Sequence, residues 1–131
     1  MVGIAGAVRR VKAQLLERKP PPAPQDTASA LIEFQSGVSG LLASVRATPF
    51  YWRVHAFGSN GSAEVLGESK LLLRISGKPQ QKIVFDASDS LLAELEAFAD
   101  AVEERAPYPI TPEQILATVG AFEATVNALT E

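Results

Sequence analysis

Tyr51-Trp52-Arg53-Val54-His55-Ala56-Phe57-Gly58-Ser59-Asn60-Gly61-Ser62-Ala63-Glu64-Val65-Leu66 holds two strand-like stretches divided by one compact turn. Residues 51–57 are aromatic and β-branched, a composition that fits a pleated, half-buried surface. Gly58-Ser59-Asn60-Gly61 is the strongest turn signal in the chain, and its Asn-Gly pair suits a tight hairpin. Residues 62–66 resume the strand. A connection this short joins antiparallel neighbours, so an antiparallel sheet is expected.

The same signature recurs on both sides of this hairpin. In residues 8–16, Val11, Ala13 and Leu15 alternate with Arg10, Lys12 and Gln14, the period of a strand with one face buried. Lys19 to Pro24 holds four prolines in six residues and is expected to be an extended loop, because proline has no N–H to pair. Residues 28–35 alternate again, with Ala30, Ile32 and Phe34 to one side, and Gln35-Ser36-Gly37 turns the chain into a strand at 38–47. Thr48-Pro49 breaks the pattern. Residues 71–75 and 82–85, reached through Gly67 and Gly77-Lys78-Pro79, complete a meander of about seven strands.

Near Asp86 the period lengthens. Leu91, Leu92, Leu95, Phe98, Ala99 and Val102 recur at helical spacing and give one apolar face. Asp86, Ser88 or Asp89 caps this helix, and Arg105-Ala106-Pro107-Tyr108-Pro109 ends it. Thr111-Pro112-Glu113-Gln114 then sets out an N-cap, a proline at the first helical position and a capping-box partner. Ile115, Val119, Phe122, Val126 and Leu129 are the expected buried stripe of this second helix.

Strands followed by helices predict an α+β fold: a largely antiparallel, open-faced sheet of about six to seven strands, with two C-terminal helices packed on one face. Leu31, Leu41, Ala43 and Val45 fall out of phase with Ile32, Phe34 and Leu42, so both faces of the central strands carry apolar side chains. Two helices do not cover both faces. Large bare apolar patches are rare on monomers, so Leu31, Leu41, Ala43 and Val45 are the expected interface of a homo-oligomer, a dimer or a tetramer.

Composition narrows the function classes. The 131 residues amount to a single domain, nearly half of them apolar and about a fifth charged, as in a globular protein. A net charge of −3, without a cluster of Lys and Arg interleaved with aromatics, argues against a nucleic-acid partner. There is no cysteine, so disulfides and thiolate metal sites are excluded. No apolar run approaches the ~20 residues of a membrane span, and residues 1–8 do not form a signal peptide. A cytoplasmic location without membrane partners is the expectation.

Catalytic constellations are missing. No Gly-x-Gly-x-x-Gly or P-loop offers a nucleotide cradle, and Gly37-Val38-Ser39-Gly40 sits between strands as a turn. The carboxylates of residues 94–104 read as a solvated helix face. His55 is the one histidine, and a lone imidazole without clustered carboxylates is a poor metal site. It shares a strand face with Tyr51, Arg53 and Phe57, so a structural or interfacial role is favoured. His55 is kept as the one substrate-side candidate. No catalytic, cofactor-binding or metal-binding residue is assigned.

In order and spacing, several stretches resemble the C-terminal half of the glucose–fructose oxidoreductase, inositol dehydrogenase and MocA family. They are Asp26-Thr27-Ala28-Ser29-Ala30-Leu31-Ile32-Glu33-Phe34 with Ser36-Gly37-Val38-Ser39-Gly40, the hairpin from Val54 to Glu64, the helix around Glu94-Leu95-Glu96-Ala97-Phe98, and the approach through Pro107, Pro109 and Thr111 to the last helix. The resemblance implies an open-faced sheet with helices on one side and oligomer contacts on the other. It also implies a parent that uses NAD or NADP to oxidise or reduce a sugar, polyol or related hydroxy compound. Glu17-Arg18-Lys19-Pro20 looks like the family's Glu-Lys-Pro catalytic motif, but Arg18 interrupts it, and a strand end running into the proline loop is the simpler reading. No counterpart of the family's Rossmann domain or catalytic His is present in these residues. The chain is therefore expected to bind no cofactor and to be inactive alone, with the missing Rossmann domain as its partner. A non-enzymatic ligand-binding or dimerisation module is the alternative, although such folds place helices among or before their strands.

Overall fold

A computed structural model describes residues 1–16, 26–46, 48–86 and 88–130. The proline loop and Glu17-Arg18-Lys19-Pro20 lie outside the described residues. Seven strands and two C-terminal helices form the expected α+β fold, preceded by one short helical turn. The elements are α1 (Val2–Ala5), β1 (Val8–Leu16), β2 (Thr27–Phe34), β3 (Ser39–Val45), β4 (Arg53–Gly58), β5 (Gly61–Leu66), β6 (Lys70–Ile75), β7 (Gln81–Val84), α2 (Ser90–Val102) and α3 (Pro112–Thr130).

The strands group as two antiparallel ladders, β1-β2-β3 and β4-β5-β6-β7. The division falls where Pro49 removes a backbone donor from the connection between β3 and β4. The chain correspondingly forms two compact units. One holds residues 1–49 and 108–131, the other residues 50–107.

In the first unit the alternation of β1 is realised: Val11, Ala13 and Leu15 are half-buried, while Lys12 and Gln14 are exposed. β2 sits between β1 and β3 and contributes the buried apolar core, Ala30, Ile32 and Phe34, with Val8, Val11 and Ala13 packed against it. Helix α3 packs on β1 and touches α1. Its capping box forms as expected: Thr111 N–H donates to Gln114 Oε1 at 3.0 Å, and Gln114 N–H to Thr111 Oγ1 at 3.3 Å. At the same helix start, a bond from its own backbone N–H, aided by the Thr111 hydroxyl, holds the Glu113 carboxyl below its ordinary value.

The expected buried stripe of α3 is overturned. Ile115, Val119, Phe122 and Val126 are exposed, Phe122 at 73%, and only Leu129 of that set is half-buried. The half-buried positions are instead Ala117, Ala121, Ala124, Thr125 and Ala128. Small side chains let the helix backbone approach β1 closely, which the bulkier stripe prevents.

The second unit is a meander closed by tight turns. In the β4–β5 hairpin Gly58 pairs with Gly61, so Ser59 and Asn60 form the loop. The tight hairpin expected from the Asn-Gly pair forms, and it does so without positive φ at Ser59 or Asn60, since among the described residues Glu104 is the one non-glycine with positive φ. The glycine requirement falls on Gly61, at φ +154, where an added Cβ would collide with the Arg74 carbonyl. Of the three candidate caps for α2, Asp89 accepts from Leu92 N–H at 3.0 Å. The apolar side chains of α2, Leu91, Leu92, Leu95, Phe98 and Val102, are exposed.

Candidate functional site

Two sheet faces carry the residues singled out by sequence. On the first, antiparallel register sets Leu31 opposite Leu41, Ser29 opposite Ala43, and Thr27 opposite Val45. Because directly opposed residues project to the same side of a sheet, Leu31, Leu41, Ala43 and Val45 are brought together on one face. All four are exposed, and Leu41 at 82% is among the most open large apolar side chains of the protein. The opposite face holds Ala30, Ile32 and Phe34. The two apolar phases of these strands are therefore real, one filled from within the unit and one open.

Toward one end of the open face, Arg9 and Arg10 both reach Glu33, at 3.0 and 3.1 Å. Arg10, Lys12, Leu31, Glu33 and Ser39 border a shallow concavity there. These ion pairs are solvent-exposed and contribute little stability. They give the open face a charged rim around an apolar centre, the composition common at protein–protein contacts.

The second face belongs to β4–β7. His55 pairs across the hairpin with Glu64, and its ring lies 3.9 Å from that of Phe57 at an interplanar angle of 31°. Glu64 is only 8% exposed. Arg53 approaches its Oε1 at 3.5 Å, and Arg74 donates to its Oε2 at 3.0 Å. One buried carboxylate is thus held between two guanidiniums, which offsets the cost of removing it from water. The Nε2 of His55 is buried and has no hydrogen-bond partner among the described residues. An imidazole nitrogen in that condition is a ready donor or acceptor for a group brought to it.

The carboxylate beside His55 escaped the reading of His55 as isolated. The signal for it was available: a two-residue turn closed by Gly58 and Gly61 fixes the register that sets His55 against Glu64. Arg74 was not legible in that way, because it arrives from the next strand, β6, where Ser62 is its direct partner. Tyr51 precedes β4 and lies outside the strand face on which it was expected. Among the described residues no group of His, Asp and Glu has metal-binding spacing, and no helix is long and apolar enough to cross a membrane.

No protein-family model and no curated protein match the chain. Solved structures do. UDP-N-acetylglucosamine 3-dehydrogenase GnnA from Acidithiobacillus ferrooxidans superposes with a TM-score of 0.80 at 20% identity, over 98% of this chain and 42% of that one. An NADPH-dependent oxidoreductase described from Desulfitobacterium hafniense gives a TM-score of 0.81 at 20% identity, with the same coverage. Biliverdin reductase from Synechocystis sp. PCC 6803, solved with biliverdin and NADP+, gives 0.74 at 19% identity, over 99% of this chain and 43% of that one. At these identities the likeness is one of fold. The chain has the fold of one part of an oxidoreductase, as the sequence resemblance led one to expect, and it spans about two-fifths of the chains it matches.

Proposed function

We propose that these 131 residues are the substrate-side and oligomerisation portion of an NAD(P)-dependent oxidoreductase of the glucose–fructose oxidoreductase, inositol dehydrogenase and MocA type. The observation that carries the reading is the match of nearly the whole chain to about two-fifths of several oxidoreductases. The substrate class proposed is a sugar, polyol or related hydroxy compound, for which the UDP-N-acetylglucosamine dehydrogenase is the supporting neighbour. The cofactor of the whole enzyme is NAD or NADP, and the nucleotide site belongs to a Rossmann domain outside these residues. Hydride chemistry resides in the cofactor, so this portion alone is inactive and contributes walls, orientation and assembly.

His55 is the residue proposed to face substrate, because its buried Nε2 is left without a partner among the described residues. The face with Leu31, Leu41, Ala43 and Val45 is proposed as the contact between copies. The distribution of burial supports that contact: among the described residues Ala30, Ile32 and Phe34 are the buried apolar side chains, while many large ones are exposed. Apolar surface on that scale is ordinarily covered by other polypeptide.

The test is a titration of NADH and NADPH into the 131-residue protein, followed by nucleotide fluorescence. No saturable binding is expected. Saturable binding would overturn the division of labour proposed, since it would place a dinucleotide site within these residues.

A further inference from the structure

Strand β3 ends its ladder, and its outer edge has a definite hydrogen-bonding phase. Phe34 N–H donates to Val38 O at 2.9 Å, and Arg46 N–H to Asp26 O at 2.7 Å, so even-numbered residues of β3 turn their backbone groups toward β2. On the other side of β2, Gln35 N–H donates to Ala7 O at 2.9 Å, in the same alternation. Ser39, Leu41, Ala43 and Val45 therefore direct N–H and C=O groups away from the sheet. From Ser39 to Val45 there is no charge and no proline, and every residue but Gly40 is exposed. The other ladder edges are guarded by charge in the way that discourages pairing: Arg9, Arg10 and Lys12 on β1, Arg53 on β4, and Lys82 on β7.

We infer that β3 pairs edge to edge with β3 of a second copy, antiparallel, about a two-fold axis at Leu42. The strand is complementary to itself in this register. Leu41 falls opposite Ala43 of the second copy, and Ser39 opposite Val45, so the outward-pointing residues meet one another and each such pair exchanges two backbone bonds. The large Leu41 side chain meets the small Ala43, no like charges oppose, and Leu42 meets its own copy at the axis. A closed, isologous pair results. The joined sheets also run the patch of Leu31 and Leu41 continuously from one copy into the next.

This contact uses backbone groups at an edge and is separate from the face contact proposed above. Two substitutions distinguish them. Ala43→Pro removes an N–H that points away from β2, so the ladder within the copy is retained, as proline is accepted on the free side of an edge strand. Leu31→Asp charges the open face on β2 and leaves the β3 edge intact.

Measured by light scattering over a concentration series, Ala43→Pro should weaken the edge-dependent association about 100-fold, from the two backbone bonds lost per dimer, one at each Leu41–Ala43 pair. Leu31→Asp should retain that association while losing the face contact. Unchanged mass for Ala43→Pro, or a wild-type chain that is monomeric at every concentration, overturns the edge pairing. Should Ala43→Pro fail to fold, amide exchange of the wild-type chain decides. Leu41 and Ala43 amides must become protected as concentration rises, and concentration-independent exchange at both overturns it.

Discussion

The two ladders bury different things. Among the described residues of β1-β2-β3 the buried apolar side chains are Ala30, Ile32 and Phe34, with Phe34 at 1% exposure, joined at the start of β2 by buried Thr27, whose hydroxyl donates to buried Asp26, and α3 lies against β1. In β4-β5-β6-β7 the buried side chain is the carboxylate of Glu64, clasped by Arg53 and Arg74, and the apolar residues Val54, Ala63, Val65, Leu71 and Leu73 are no more than half-buried. The first unit rests chiefly on apolar burial, which is non-directional and scales with area. The second is organised by a directional ionic clasp and by turn chemistry. A sheet whose apolar side chains are half-covered is held in register by its polar centre, and the stability it gains from burial is correspondingly small.

The largest expected effect tests the first half of that contrast. Phe34→Ala should cost about 3–5 kcal/mol, the range for removing a buried aromatic side chain. Segment-resolved hydrogen exchange should show faster exchange in β1–β3 than in β4–β7, and equal acceleration in both ladders would break the comparison. Trp52, the single tryptophan, lies in the second unit and reports it by fluorescence.

A smaller effect tests the other half. Glu64→Gln leaves Arg53 and Arg74 facing each other across a neutral amide. The guanidinium side chains are 55% and 41% exposed, so solvent screening reduces the loss to about 1–2 kcal/mol. The same change in β1-β2-β3, Glu33→Gln, should cost less than about 0.5 kcal/mol, because Arg9 and Arg10 pair with Glu33 near the surface. Urea unfolding of the two variants checks the ordering, and a reversal would show that the clasp does not organise its sheet.

The most local effect concerns the start of α3. Thr111→Ala should cost about 1 kcal/mol by removing the acceptor for Gln114 N–H. Glu113 adds a dependence on pH. Its folded-state pKa is depressed below the ordinary value of 4.5, so its contribution is present above about pH 4.5 and is lost as pH falls through the lower folded value. A helix-specific exchange profile that does not change between pH 6 and pH 3 would contradict that sign.

Much of the fold was legible because it is written in local chemistry. Alternation in β1 and β2 follows from a sheet with one buried face, and Thr111 with Gln114 closes the capping box that its spacing announces. The open face was legible as well, since Leu31 and Leu41 can share a side only if they oppose ladder residues in one phase, and the register places them so. The side of α3 that packs was not legible. Both an alanine row and a bulky row recur at helical spacing, and periodicity does not rank them. Nor did periodicity show how α2 would be covered.

Sequence by itself determined the number and order of the strands and of the two C-terminal helices, the antiparallel sense of the strands and the ends of those helices, because turns, caps and side-chain periods act over a few residues. Only tertiary structure decided that the strands form two ladders, that α3 turns its alanines inward, and that Glu64 is caught between arginines from β4 and β6. Those outcomes depend on which strand becomes the neighbour of which, and on how closely two backbones can approach. Both are properties of packed pairs of elements rather than of any single stretch of chain.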